Sequence, residues 1–361
     1  MPRPAGGAAE AAARAYCAAV LRDAGFDVRE VPFEYSSAPG RWGMPVAGVV
    51  SAIALVAAAR AGAAGRAAVA LALLVAVACM LVVLWPRALG DGVARLPLAR
   101  RRAVNLVATR GTSSPRVWLV AHLDAKSQPV PMAARVAGVG GSLVAWALAL
   151  VLGVSHALGA HVAAWWTPLA IVGVVAALPV VGSVIGAASP GALDNASGVA
   201  TVLLAAEDAT LGPPLPRDVG VLVTSAEEVG LAGARAWGRD PAWGRRIVGD
   251  SDGAAPIALN VDSVDDDGAL RVMRASTLPT ALEHALDDET HVRRGRLPPG
   301  VLVDAIALAD VGFASLTVSK ATVRSLARIH TPRDATERLR GTGVMEAAAL
   351  VRRLAARVAN A

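Results

Sequence analysis

Four stretches of this chain carry no charge and no polar face. They cover roughly residues 43–59, 67–85, 136–155 and 162–186. A helix packed in a water-soluble domain shows a polar stripe, so these runs predict membrane-spanning helices. Run 67–85 would extend about 28 Å at about 1.5 Å per residue, enough for a bilayer core. The last run carries Pro168 and Pro179, which predicts a kink or a tilt. Trp42, Trp85, Trp165 and Trp166 fall at run ends, where an interfacial aromatic belt would lie.

The runs form two hairpins, one turning through Arg60–Arg66 and the other through Ser155–His161. Each hairpin returns the chain to the side it left, so the polar sequence shares one side. Near the membrane that side carries Arg41, Arg87, Arg95, Arg100, Arg101, Arg102, Lys126 and Arg135, against Arg60 and Arg66 opposite. The positive-inside tendency places the polar domain on the cytoplasmic face. The opening residues do not read as a secretory signal peptide, which agrees.

The remaining pattern alternates strands with helices. Helices are predicted over Glu10–Arg22, Val199–Asp208, Pro279–Asp287 and Gly341–Arg357, with another starting at Leu231–Trp237. Strands are predicted over Val28–Tyr35, Ala103–Thr109, Arg116–Ala121, Val219–Thr224, Ile257–Val261 and Ala314–Val318. The second and third strands are joined by Gly111–Pro115, a hairpin signal. Asp265–Gly268 reads as a solvated turn. Such alternation predicts an α/β fold: a central, mixed but mostly parallel sheet with helices on both faces. The expected division is a catalytic domain over 1–42, 88–130 and 188–361, with membrane hairpins at 43–87 and 131–187.

Only 18% of the chain is charged, so acids and imidazoles inside apolar strand contexts need a reason. The net charge of +6 does not imply nucleic acid, because no basic stripe is interleaved with aromatics. Arg100–Arg102 stands alone and reads as membrane-proximal. Cys17 and Cys79 form neither a disulfide framework nor a thiolate zinc motif.

The candidate chemistry sits where strands end or helices begin, which is where open α/β sheets place their sites. His122 closes a strand, and Asp124 lies two residues on, able to accept the second ring N–H. Asp194 lies in Gly-Ala-Leu-Asp-Asn-Ala-Ser-Gly, just before a helix. Asn195-Ala-Ser197 is a formal glycosylation sequon, here read as accidental. Glu227 and Glu228 follow an apolar strand; their side chains point apart, so one can bind a cation while the other faces a water. Asp262 closes another buried strand, and His330 opens His-Thr-Pro-Arg-Asp334. His156, His161, His284 and His291 lack such context. Imidazole and carboxylate donors without thiolate suit Zn²⁺ or a similar divalent ion.

The order and wording of these motifs resemble metallopeptidase family twenty-eight, the co-catalytic dizinc aminopeptidases related to glutamate carboxypeptidase and glutaminyl cyclase. The resemblance covers about 88–130 and 188–361, and the first forty residues more weakly. It implies a three-layer α/β/α zinc-exopeptidase fold and two Zn²⁺ ions. His122, Asp194 and Asp262 would hold one ion, and Asp194, Glu228 and His330 the other, with Asp194 bridging. Glu227 would be the general base for a water shared by the ions, and Asp124 would orient His122. The chain departs from the family in its inserted hairpins. It also carries Val303-Asp304-Ala305-Ile306 where many members have a Ser-Asp-His-like pocket segment.

The expected function is a membrane-embedded zinc exopeptidase acting on a peptide or aminoacyl substrate, foremost an aminopeptidase. A zinc amidohydrolase, a carboxypeptidase or a glutaminyl cyclase-like enzyme would use the same fold. A carboxypeptidase needs an arginine, for which Arg324, Arg328 and Arg333 are near His330. A non-catalytic membrane binding protein is the reading from another class. The expected partners are a peptide or aminoacyl substrate and the lipid bilayer, with no nucleic acid.

Overall fold

The computed structural model describes residues 1–111, 114–207, 209–211, 214–240 and 255–360. The chain forms two units. One comprises Met1–Tyr35, Arg100–Ser127 and Ala187–Ala361; the other comprises Ser36–Ala99 and Gln128–Gly186.

The first unit is built on an eight-stranded sheet. Its strands are β1 (Asp27–Ser36), β2 (Arg100–Thr109), β3 (Val117–His122), β4 (Val219–Thr224), β5 (Ile257–Val261), β6 (Arg271–Arg274), β7 (Arg293–Arg296) and β8 (Ala314–Ser319). Their order is β1-β2-β4-β3-β5-β8-β6-β7. The centre, β4-β3-β5-β8, is parallel. β2 runs antiparallel to β4, and β6 antiparallel to β8. This is the mostly parallel sheet expected from the alternation of elements.

The central strands are buried on both faces, so they read as continuous apolar runs. Their pleat sorts side chains between two cores. Val117, Leu119, Ala121, Val219, Val221, Val223, Leu259 and Leu316 meet helices Ala8–Asp23, Ser197–Glu207, Thr280–Asp287 and Thr342–Ala359 on one face. Trp118, Val120, Leu222 and Ala258 meet helices Ala232–Arg239 and Asp304–Ala309 on the other. There Trp118 stands edge-on to Trp237, ring centroids 4.7 Å apart. Gly220 leaves room for it: a Cβ at that position would approach the Trp118 ring to 2.9 Å.

Two local expectations are corrected. The β2–β3 hairpin does not form; both strands pair with β4. β4 is fully buried and apolar, and flanking it on both edges satisfies its backbone, which overrides the local turn signal. Residues 112–113 of that turn, and Asp208 at the expected helix end, lie outside the described residues. Strands β6 and β7 were not foreseen, because Arg271, Arg274, Arg293, Arg294 and Arg296 hide an apolar signal; charge is usual toward a sheet edge.

The second unit packs helices Ala38–Ala63, Ala67–Cys79, Met132–Ala157 and Trp166–Val181 around Leu55, Leu74, Trp146 and Trp166. Among the described residues, four helical segments are long and apolar enough to cross a membrane: Ala38–Ala63, Ala67–Arg87, Met132–Ala157 and Ala163–Val181. Small residues let them approach: a Cβ on Gly62 would run into the Trp166 ring, and one on Gly173 into Leu55. Trp166 is therefore core and not interfacial belt, and its indole N–H donates to His156 Nδ1 at 3.1 Å. Trp146 donates to Ser51 Oγ at 2.6 Å. Outward positions are apolar as well, among them Ile53, Leu143, Val151, Ile171 and Val175. Pro168 lies in the first turn of its helix, where a missing N–H breaks no helix hydrogen bond, whereas Pro179 lies inside the helix, in its last turn, and removes the bond to the carbonyl four residues back.

The Asp265–Gly268 turn is not simply solvated. Asp267 is exposed, but Asp265 is buried and binds Ser325 Oγ and Arg328. Asp266 accepts N–H groups from Arg340 (2.5 Å) and Gly343 (3.1 Å) and the Thr342 hydroxyl (2.8 Å), capping the closing helix. Burial raises its carboxyl, but these donors outweigh burial and hold it down at about 2. A depressed carboxylate stabilises the fold above its unfolded value, near about 4, and loses that contribution as pH falls toward the folded value. Asp266→Asn is therefore expected to be less stable than the parent at pH 6. It should also lose less stability between pH 4 and pH 2, as read from unfolding midpoints in detergent.

Candidate metal centre

The carboxyl ends of β3, β4 and β5 bring His122, the Ser225–Glu228 turn and Asp262 to one edge of the sheet. Asp194 approaches from the loop before helix Ser197–Glu207, and His330 from the loop after β8. Two donor sets result. His122, Asp194 and Asp262 present ligand atoms within 4.8 Å of one another, and so do Asp194, Glu228 and His330. Asp194 belongs to both. Its Oδ1 lies 3.2 Å from His122 Nε2, and its Oδ2 lies 3.0 Å from His330 Nε2. Glu228 Oε1 is 3.3 Å from His330 Nε2. Asp262 Oδ2 and Glu227 Oε2 each lie 3.9 Å from His122 Nε2. Thus the residues singled out in the sequence converge, although they are spread over some two hundred positions.

Several contacts hold this arrangement. The Asp124 carboxylate accepts the N–H groups of Glu227 (3.0 Å) and Glu228 (3.2 Å). His122 Nδ1 faces the Asp124 main-chain oxygen at 3.1 Å, with the carboxylate at 3.6 Å. Asp124 thus orients both the imidazole and the glutamate pair, and leaves Nε2 turned toward Asp194. Asp334 accepts the N–H groups of Leu193 (2.6 Å) and Asp194 (3.2 Å). Asn195 donates to the Val261 carbonyl and accepts from Gly198 and Ser263, which ties the Asp194 loop to the Asp262 loop. Asn195 is fully buried, so its sequon is inaccessible. Ala226, Ser263 and His330 have φ of 58°, 58° and 61°, and side-chain-bearing residues held there mark backbone constrained by function.

Other participants were given no role in this centre by the sequence, although Asp304 lies in the pocket-like segment Val303–Ile306. Lys126, expected beside the membrane, places Nζ 2.5 Å from Glu228 Oε2. Arg3 is buried and donates to the carbonyls of Leu123, Pro190 and Gly191, joining the loops of Asp124 and Asp194. Glu10 accepts the Ser225 hydroxyl at 2.5 Å. Asp304 opens a buried helix and accepts the Thr224 hydroxyl. Strand and helix periodicity made these look like ordinary chain; the nearest available signal was charge inside an apolar context. Arg328 is engaged by Asp265, while Arg324 and Arg333 are exposed.

The electrostatics favour cations. His122, Asp194, Glu227, Glu228 and His330 are all buried, and the Asp262 side chain is 12% exposed. Burial, with Glu228, Asp304 and Asp262 nearby, holds Glu227 well above the usual carboxylate range. Burial and Asp194 push Asp262 up to about 7. Burial also acts on Asp194, but the His122 and His330 ring N–H groups outweigh it and hold Asp194 well below its usual value. In Glu228, burial is outweighed by Lys126. The imidazoles of His122 and His330 are both raised against burial by the carboxylates around them. So much negative charge in an apolar setting is stable only if positive charge compensates it. Imidazole and carboxylate donors, deeply placed and in two overlapping sets, fit a pair of zinc-like divalent ions.

No curated protein matches this sequence. Among solved structures, BSAP, a zinc aminopeptidase from Bacillus subtilis, aligns with 98% of this chain and 90% of its own, at 14% identity and a TM-score of 0.52. A Bacteroides thetaiotaomicron glutaminyl cyclase aligns with 100% of this chain and 92% of its own, at 13% identity and a TM-score of 0.54. The chain spans 55% of the length of the Legionella pneumophila LapA aminopeptidase, over 72% of its own, at 15% identity and a TM-score of 0.45. At such identities the first two likenesses show the fold alone. The sequence profile of peptidase family M28 matches residues 105–355. That match takes in β3, β4, β5, β8 and every member of both donor sets, and on it the chain belongs to peptidase family M28.

Proposed function

We propose that this protein is a membrane-embedded, zinc-dependent exopeptidase, specifically an aminopeptidase, with its catalytic unit on the cytoplasmic face. One observation carries the catalytic part: two buried donor sets share the Asp194 carboxylate, one oxygen turned to each imidazole. His122, Asp194 and Asp262 would hold one zinc ion, and Asp194, Glu228 and His330 the other. When bound, zinc polarises a carbonyl and lowers the pKa of water.

The chain's own residues supply the rest. Glu227 Oε2 stands 3.9 Å from His122 Nε2, and burial raises its proton affinity. A carboxylate so tuned accepts a proton from the attacking water at Oε2 and returns it to the departing amine. Asp124 holds the turn that carries Glu227 and Glu228 through their N–H groups. Asp334 and Asn195 hold the Asp194 loop.

Glu227→Gln is expected to keep its zinc and lose about 10²- to 10⁴-fold in kcat, as removal of a general base does. Asp194→Asn should lose both zinc and activity, as read by metal analysis of the purified protein beside the rate. A Glu227→Gln enzyme of unchanged rate would remove the proposed base.

An aminopeptidase acts on a free terminus. Aminoacyl amides should be turned over, and their N-acetylated forms should not. Preference for blocked substrates would favour the carboxypeptidase or amidohydrolase reading. The engagement of Arg328 by Asp265 removes one of the three candidate arginines for the former. Cyclisation of N-terminal glutamine is the third arm, motivated by the fold shared with a glutaminyl cyclase.

The membrane part rests on four long apolar helices whose outward side chains are themselves apolar. Orientation follows from the excess of arginine on the side that carries the polar sequence. The protein should stay with membranes through an alkaline carbonate wash. Its catalytic unit should be digested by protease in inverted vesicles and protected in sealed right-side-out vesicles. Release by carbonate, or the opposite protection, would refute this part while leaving the enzymatic part intact.

A further inference from the structure

Helices Ala38–Ala63 and Trp166–Val181 pack side by side in the apolar unit, and a groove of about 650 Å³ runs along them. That volume lies within the range of small-molecule sites, about 300 to 1,000 Å³. One wall is Val56, Ala59 and Ala63; the other is Thr167, Ala170 and Val174. Both sets recur three and four residues apart, so each forms one stripe along its helix. The alanines leave the depression, since a larger side chain at those positions would fill it. From Thr167 to Val174 the wall rises about 10 Å, at about 1.5 Å per residue. That is most of one leaflet, which is half of a hydrocarbon core about 30 Å thick.

One end of the groove is polar. Arg60 and Thr167 line it, and the exposed Trp165 lies two residues before Thr167. Arginine and tryptophan at a helix end mark the level of lipid headgroups. The chain supplies little to complement Arg60. The apolar unit has six arginines and a single acidic residue, Asp91, and the stretches 43–87 and 131–187 have no acid at all. An apolar channel nearly one leaflet deep, headed by a cation without a matching carboxylate, has the shape and charge of a phospholipid site.

Resting on the membrane reading above, we propose that this groove binds an anionic phospholipid from the leaflet that holds the hairpin turns. One acyl chain lies along Ala59, Ala63 and Ala170, and the phosphate meets Arg60. A zwitterionic headgroup fits less well, because its ammonium would stand near Arg60 with no carboxylate to receive it.

The test is native mass spectrometry of the full-length protein in detergent, titrated with phosphatidylglycerol or with phosphatidylcholine of the same chains. The parent is expected to bind its first phosphatidylglycerol at least about fivefold more tightly, the weight of one arginine at an anionic surface. Arg60→Ala should remove that preference, and Arg60→Lys should keep it. Ala63→Phe fills the groove and should weaken binding of the first lipid about tenfold or more, since several methylenes lose their contact. Ala63→Leu serves if the phenylalanine variant does not fold. Arg66→Ala removes an equal charge outside the groove and should change nothing. Equal affinity for the two lipids in the parent would overturn the inference, and so would unchanged binding in the groove-filled variant. A loss in Arg66→Ala as large as in Arg60→Ala would overturn it too, as would a dimer that excludes lipid and so gives the groove to a second copy of this chain. Detachment from membranes in the carbonate wash would instead sink the membrane reading itself, a result distinct from lipid binding without preference.

Discussion

A single buried carboxylate, that of Asp194, sits between two imidazoles and belongs to both donor sets. The rest of the catalytic unit is arranged around the difficulty this creates. Negative charge placed in an apolar interior is unstable unless it is hydrogen-bonded and compensated. Asp194 meets the first requirement through its ring contacts and through Asp334, which holds the turn that carries it. It meets the second through His122 and His330, and through the divalent cations that this donor set suits.

Charge at the centre requires rigidity around it. The Asp124 carboxylate binds two successive N–H groups and so fixes the turn that carries Glu227 and Glu228. Asn195 bridges the Asp194 and Asp262 loops, Arg3 joins the loops of Asp124 and Asp194, and Asp265 grips Ser325 and Arg328 just before His330. Most of these partners are backbone groups, so the network fixes loops as much as side chains. Ala226, Ser263 and His330, in or next to these loops, adopt left-handed backbone angles. The apolar unit solves a different problem. Its glycines and alanines let the helices approach closely, and many of its larger apolar side chains are left outward.

Parts of the fold were legible because local periodicity and burial agree. β4 and β5 match the sequence reading end to end, since a strand buried on both faces is apolar throughout and a turn closes it. The long apolar helices were legible for a similar reason, though Trp166 was assigned to an interface and proves to be core. The β2–β3 pairing failed because strand order is decided by what lies between strands in space, which a turn signal does not report. β6 and β7 were missed because short strands rich in arginine, at and next to the sheet edge, lack the apolar pattern that marks a strand.

By itself the sequence determined which groups were candidates. His122, Asp124, Asp194, Glu227, Glu228, Asp262 and His330 are chemically conspicuous in an apolar chain and sit at the ends of readable elements. It also determined which helices are apolar all round. Only the tertiary structure decided that Asp194 is the shared residue by contact, that Asp124 serves Glu227 and Glu228 as well as His122, and that Lys126 pairs with Glu228. The physical reason is range. Periodicity and capping act over a few residues, whereas ion pairing and ligand geometry depend on distances between segments more than a hundred residues apart. Those distances exist only once the sheet has set its strands in order.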